Sequence, residues 1–214
     1  ELVARNDRLI QQQTDVGATI FATPGSTNPQ SDRPASPTLI LHLNPLDHQQ
    51  IRHRREHGQP LIVTGIQQPS EYCWPRSIKV RSRIHYYLAD IEANKHADDA
   101  IGVLVDDDDG ITETSIANLA IVESGKILSP PPDSVLGGIT QRVVESLAAE
   151  LQIDWTKQRI SRDQLRLADE ILLLGTDGGI WFANSVNGDP IAGGNPGQVC
   201  RALRNRFDQA TSDP

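Results

Sequence analysis

The stretch IGVLVDDDDGITETSIANLAIVESGKILSPPPDSVLGGIT, residues 101–140, decides the architecture. Its apolar opening at 101–105 is too short for a helix and contains three β-branched residues, which reads as a buried strand. Residues 106–110 then form a turn. Residues 119–122 and 126–128 pair as a hairpin around Ser124-Gly125, and Gly138 starts a helix. A strand, a hairpin and a helix in that succession give an α+β domain with helices packed on sheets, not a regular βαβ array.

Working outward, the pattern predicts a helix over 83–95 and a strand over 61–64. Further upstream, 38–43 and 17–23 read as strands and 1–13 as a helix. Between the two strands, PGSTNPQSDRPASP at 24–37 has the Pro, Ser, Asn and Gly density of a long loop. Downstream, Val143, Leu147 and Leu151 mark one buried face of the helix after Gly138. A short helix at 163–167, a buried strand at 170–174 and a hairpin turn at Asn187-Gly188 follow. Pro196 lies near the start of a last helix striped by Val199, Leu203 and Phe207. The polar, basic stretch 48–59 reads as a connection between two lobes, 1–47 and 60–214.

Composition narrows the functional classes. The chain has 214 residues, 37% hydrophobic and 22% charged, enough to bury a core. A net charge of −8 with scattered basic residues argues against nucleic acid or an anionic membrane as partner. No apolar run approaches a membrane span, and Cys73 and Cys200 fit no zinc or redox spacing, so a cytoplasmic protein with free thiols is expected. The chain opens inside a helical pattern and has no methionine, which suggests a fragment.

Four sites could carry chemistry. Lys79, between Tyr72-Cys73-Trp74-Pro75 and a helix, can present an amine from a rigid strand end; such a lysine condenses with aldehydes and, once freed, acts as a base. Glu113, just past the acidic turn, can hold a heterocyclic nitrogen protonated. Gly138, Ile139 and Thr140 open a helix whose free N–H groups aim at an anion. Thr176 and Asp177 follow an apolar strand, where ligands often meet a sheet. Each has an ordinary reading: a surface lysine among Arg76, Arg81 and Arg83, a turn acid, a capped helix, a glycine turn. Taken in order they supply an amine, an anion, a phosphate cradle and a hydroxyl, which is a binding set for pyridoxal 5′-phosphate.

Two metal readings compete with it. Asp106 to Asp109 tempt a calcium site, but Val105 occupies the first ligand position of such a loop, so the aspartates read as a solvated turn. His53-Arg54-Arg55-Glu56-His57 matches the inverted zincin pattern H-x-x-E-H. Gly58 and Pro60 follow at once, so the helix that must present both histidines ends on top of them, and no metal ligand is assigned.

With these residues in place, the chain resembles the class IV aminotransferases, pyridoxal-phosphate enzymes that include branched-chain aminotransferases, D-amino acid aminotransferases and 4-amino-4-deoxychorismate lyases. The resemblance rests on Lys79 before a helix ending in Glu92-Ala93, DGITETSIANLAIV, LSPP with LGGIT, RVVESLAAEL, ADEILLLGT and NGDPIAGGNPGQVCRALRNRF. It implies a two-lobed type IV pyridoxal-phosphate fold and a homodimer acting on an amino acid and a 2-oxo acid. Lys79 would then be the cofactor-bearing lysine and Glu113 the partner of the ring nitrogen. Gly138, Ile139 and Thr140 would serve the phosphate with Thr176, and Thr176-Asp177 would receive a substrate carboxylate. The resemblance also implies that 1–47 is the remainder of an incomplete first lobe, lacking its first strands and the arginine that clamps the phosphate, so that the chain holds cofactor weakly. Ile84 stands where branched-chain enzymes carry a tyrosine, as in the lyase and D-amino acid branches. Asp177-Gly178-Gly179-Ile180-Trp181-Phe182 replaces a proline-containing segment. A transferase, the lyase and a cofactor-poor non-enzymatic relative all remain open.

Overall fold

A computed structural model describes residues 2–12, 15–25 and 36–212. Positions 26–35 of the long loop read from the sequence, and residues 1 and 13 of the first helix, lie outside the described residues. The chain divides into two compact units, Glu1–Gln49 and Gln50–Pro214.

The first unit holds α1 (Leu2–Arg5), α2 (Asp7–Gln12), β1 (Val16–Thr23) and β2 (Thr38–Pro45). The single helix expected at 1–13 is broken at Asn6. Its Nδ2 donates to the Leu2 carbonyl at 2.9 Å, while its backbone N–H turns to Val3 at 3.0 Å. A short amide side chain competing for the backbone acceptor is the physical reason. β1 and β2 pair antiparallel from Val16↔Pro45 to Thr23↔Thr38.

Helix α3 (His48–His57) occupies the stretch read as a connection. The second unit continues with β3 (Gln59–Gln67), α4 (Ile84–Asn94), β4 (Ile101–Val105), β5 (Ile111–Thr114), β6 (Asn118–Glu123) and β7 (Lys126–Ser129). Then come α5 (Ile139–Glu150), β8 (Trp155–Lys157), α6 (Arg162–Leu167), β9 (Glu170–Gly175), β10 (Gly179–Val186), β11 (Asp189–Pro190) and α7 (Gln198–Ser212). The strands run β11-β10-β3-β4-β5-β6-β7-β8, and β9 bridges β10 and β6. That bridge closes β3, β4, β5, β6, β9 and β10 into a ring. The β10–β3, β3–β4 and β7–β8 pairs are parallel and the others antiparallel.

The two-residue period of the strands sorts side chains between two cores. Leu119 and Ile121 of β6, Leu173 of β9 and Trp181 of β10 point into the ring with Leu61 and Val103. Their neighbours Ala120, Val122, Leu172, Leu174, Ile180 and Phe182 face outward, where α5 and α7 cover them with Val144, Leu147, Ala148, Cys200 and Leu203. Each fully buried Leu or Val contributes about 1.5–3 kcal/mol.

The buried face of α5 differs from the expected one. Leu147 is buried, but Val143 and Leu151 are 39% and 38% exposed, and Thr140, Val144 and Ala148 lie inward instead. A strict four-residue step overshoots a helix of 3.6 residues per turn, so a face is kept only by mixing steps of three and four. Helices α4, α6 and α7 follow their signals. Ser161 and Gln164 form a capping box on α6. The buried Glu170 carboxylate accepts from the Val199 and Cys200 N–H groups at 2.9 and 2.8 Å, capping the start of α7. Asn187 and Gly188, with φ 51° and 89°, make the hairpin turn between β10 and β11.

Candidate active site

Glu113 is the next-to-last residue of β5 and lies opposite Asn118, the first residue of β6. Between them Thr114 closes the connection: its Oγ1 accepts from the Ala117 N–H and donates to the Ala117 carbonyl, both at 3.0 Å. The connection turns Glu113 inward, to 3% exposure. Four donors meet its carboxylate. Tyr86 Oη (2.6 Å) and Gln68 Nε2 (3.0 Å) donate to Oε1; Asn118 Nδ2 (3.0 Å) and the Leu136 N–H (3.2 Å) donate to Oε2. Burial pushes the carboxyl above the usual carboxylate range. The Tyr86, Leu136 and Gln68 hydrogen bonds and the Lys79 charge oppose that rise without cancelling it.

Of the tyrosines at the start of α4, Tyr86 faces Glu113 and Tyr87 is 61% exposed. The Arg83 guanidinium sits 4.6 Å from the Tyr86 ring centroid and donates to the Ser115 carbonyl, tying the start of α4 to the β5–β6 connection. Burial, then the Glu113 charge, raises the Tyr86 phenol above its ordinary value, so it stays protonated and donates.

Lys79 is not at a strand end, as its sequence context suggested. It lies exposed in the irregular segment between β3 and α4, and its charge acts on Glu113. Turns closed by Ser70 O to Cys73 N (2.8 Å) and Pro75 O to Ile78 N (2.9 Å) shape this segment, and Arg76 anchors it. Arg76 makes a two-pronged pair with Asp106 at 2.8 and 2.9 Å and also donates to the Pro69 and Ser134 carbonyls. The acidic turn is therefore more than a solvated loop: Asp106 holds Arg76, Asp108 pairs with Arg159 and Asp109 with Arg162. The Arg76 hydrogen bond pulls the Asp106 carboxyl below the usual range.

The helix α5 begins beside Glu113. Gly138 is its N-cap, with no side-chain capping bond, and Ile139 and Thr140 are its first residues. The N–H groups of a first helical turn have no intrahelical acceptor. Ile139 is 66% exposed and Thr140 buried. A Cβ on Gly138 would come 1.9 Å from Asn118 Oδ1, so only glycine lets α5 start this close to the Glu113 shell. On the other flank Asn118 lies opposite Leu174 of β9, and a Cβ on Gly175 would meet the Ile116 carbonyl at 2.7 Å. Thr176 and Asp177 follow, both exposed.

Strand register thus brings Glu113, the start of α5 and the end of β9 to one place, with Lys79 in electrostatic range. The sequence reading missed Asn118, Gln68 and the backbone of Leu136. An asparagine opening the otherwise apolar run NLAIV was the available signal for Asn118; Gln68 carried none. None of the predicted site residues lines the cavity of about 190 Å³ between Glu71, Asp106, Asp133 and Arg159. His53 and His57 both lie in α3, with ring centroids 4.7 Å apart, and the helix ends at His57 before Gly58 at φ 78°. Among the described residues the cluster of three potential metal ligands is Asp106, Asp107 and Asp108, and does not include the histidines.

The sequence matches the family described as amino-transferase class IV over residues 2–186, and the chain belongs to that family. It is 33% identical over 159 residues to branched-chain-amino-acid aminotransferase-like protein 1 of Arabidopsis thaliana, covering 74% of this chain and 28% of that protein. It is 35% identical over 121 residues to the branched-chain-amino-acid aminotransferase of Escherichia coli K12, covering 56% and 39%. The chain thus spans well under half the length of these curated relatives. Among solved structures, the Escherichia coli branched-chain amino acid aminotransferase superimposes with a TM-score of 0.82 at 25% identity, covering 97% of this chain and 68% of that one. A T.th. branched-chain amino acid aminotransferase with pyridoxamine 5′-phosphate gives 0.80 at 25% identity, covering 98% and 68%. The fold is accordingly the α+β fold of the branched-chain aminotransferases.

Proposed function

We propose that the chain uses pyridoxal 5′-phosphate to transfer an amino group between an amino acid, branched-chain or similar, and a 2-oxo acid. The observation that carries this reading is a buried carboxylate, Glu113, held by four donors within electrostatic range of Lys79.

The residues fit the cofactor. A carboxyl whose proton affinity is raised by burial suits a heterocyclic nitrogen with which it shares a proton. A carboxylate accepts about four hydrogen bonds, and all four places on Glu113 are filled. Gln68 Nε2, however, also reaches the Tyr86 hydroxyl at 3.4 Å, so it can leave the carboxylate and keep a partner. Gly138 leaves the N–H groups of Ile139 and Thr140 free to meet a phosphate, and the Thr176 hydroxyl is assigned to the same group. Lys79 Nζ is the amine for the cofactor's aldehyde, and the backbone at Thr176-Asp177 is assigned to the substrate carboxylate. When bound, the cofactor supplies that aldehyde and a ring that draws electron density from the substrate Cα. Lys79, once displaced, moves the proton at that Cα, and Glu113 holds the proton at the ring nitrogen.

We also read the protein as a cytoplasmic homodimer with small-molecule substrates and no nucleic-acid or membrane partner. The acidic net charge supports the absence of a polyanionic partner. The exposed apolar row Ile84, Tyr87, Leu88 and Ile91 on α4 supports association. Among the described residues no helix is long and apolar enough to cross a membrane. The aliphatic Ile84, with Tyr86 engaged by Glu113, favours a second reading, 4-amino-4-deoxychorismate lyase. Assays with a branched-chain amino acid plus 2-oxoglutarate, and with 4-amino-4-deoxychorismate, separate the two. Amino transfer abolished by Lys79→Ala is expected. Pyruvate release without amino transfer would replace the first reading by the second.

A further inference from the structure

The four donors to Glu113 are not held equally. On Oε2, Leu136 contributes backbone, and Asn118 Nδ2 is fixed by a second bond to the Leu136 carbonyl at 2.8 Å. On Oε1, Tyr86 donates at 2.6 Å, with its ring set between the Arg83 guanidinium at 4.6 Å and the His85 ring at 4.1 Å. Gln68 is the least committed: its Nε2 is shared with the Tyr86 hydroxyl at 3.4 Å, and its own Oε1 is buried without a hydrogen-bond partner.

We propose that Tyr86 is a positioning residue for Glu113, its hydroxyl holding Oε1 in place while Gln68 cedes its own place on that oxygen to an incoming ring N–H. This rests on the function proposed above. A fifth donor must displace one of four, and the cheapest to displace is the one that keeps a partner and leaves no buried group newly orphaned. Gln68 and Asn118 would each keep a partner, but Asn118 is held on the Leu136 carbonyl at 2.8 Å with Gly138 close against its Oδ1, whereas Gln68 has only the 3.4 Å contact to the Tyr86 oxygen and an unpartnered Oε1, so Gln68 is the freer to move. Tyr86 must then remain, because it is the shorter bond to an oxygen that burial would otherwise drive to take a proton. The charged and titratable groups around the pair are Lys79, Arg83 and His85. Burial and the Arg83 charge push the His85 imidazole below its ordinary value, which disfavours a positive charge there.

The test is a carboxyl-carbon NMR titration of Glu113 in the full chain without cofactor, the signal assigned by its loss in Glu113→Gln. Tyr86→Phe keeps the ring and its Arg83 contact and should raise the titration midpoint by about one pH unit or more, the scale of one hydrogen bond to a charged group. Gln68→Met should raise it less. An unmoved midpoint in Tyr86→Phe, or an equal shift in Gln68→Met, overturns the role of Tyr86. Uptake of pyridoxal 5′-phosphate by the wild-type chain, read as absorbance, tests the underlying function separately. Uptake with an unmoved midpoint removes Tyr86 alone; no uptake removes the ring as partner of Glu113 and the proposal with it.

Discussion

Asn118 lies opposite Glu113 across the β5–β6 pair, and its Nδ2 donates at once to Glu113 Oε2 (3.0 Å) and to the Leu136 carbonyl (2.8 Å). One side chain thereby fixes the carboxylate and the segment that leads into α5. Asn118→Ala removes a hydrogen bond to a charged group, about 1.5–3 kcal/mol, and should weaken cofactor binding by roughly tenfold or more. Asn118→Asp should be worse, since a second carboxylate beside Glu113 drives one of the two to take a proton. Absorbance titration with pyridoxal 5′-phosphate gives the order; an Asp variant that binds better than the Ala variant would refute it.

Gly138 and its neighbour Gly137 make a matched pair. A Cβ at 138 would lie 1.9 Å from Asn118 Oδ1, whereas one at 137 meets nothing within 4 Å. Gly138→Ala should therefore cost about 1–3 kcal/mol of stability and displace Asn118, loosening the cofactor site. Gly137→Ala should stay within about 0.5 kcal/mol of wild type. Urea denaturation and cofactor titration of both variants check this, and equal effects at the two positions would contradict it.

Two carboxylates give stability opposite pH signs. Asp106 is held below its ordinary value by Arg76, so its contribution is present above the unfolded carboxylate range near pH 4 and is lost as pH falls through its folded value. Glu113 lies above its ordinary value: it withdraws stability above its folded value, and that cost disappears as pH falls toward about 4.3. Asp106→Asn leaves the Arg76 guanidinium, 8% exposed, without its charge partner and should destabilise the protein by about 2–4 kcal/mol at pH 7. It should also flatten the acid limb of stability against pH. Denaturation at stepped pH measures both, and an unchanged acid limb would exclude Asp106 as its source.

Local signals made much of the second unit legible. The helix read over 83–95 is α4, and the strand at 101–105, the Ser124-Gly125 and Asn187-Gly188 turns and the last helix all fall where pattern and turn chemistry put them. The ring was not legible, because closure depends on β9 pairing with both β6 and β10, strands far from each other in sequence. The candidate site divides the same way. Lys79, Glu113, Gly138 and Thr176 stood out by residue type and order. Gln68 and Tyr86 reach Glu113 only through the packing of separate elements, across 45 and 27 positions of sequence. Arg76 looked like part of a surface basic patch because its partner, Asp106, lies 30 residues away.

The proposed function requires Lys79 to be the lysine that condenses with pyridoxal 5′-phosphate. Lys126 and Lys157 are paired with Asp154 and Glu145, and Lys95 lies just past the end of α4. The direct measurement is borohydride reduction of the full chain at saturating cofactor, followed by digestion and mass mapping of the modified peptide. The reduced cofactor is expected on Lys79 and is lost in Lys79→Ala. Label on Lys95, Lys126 or Lys157 instead, or label on no lysine, would contradict it.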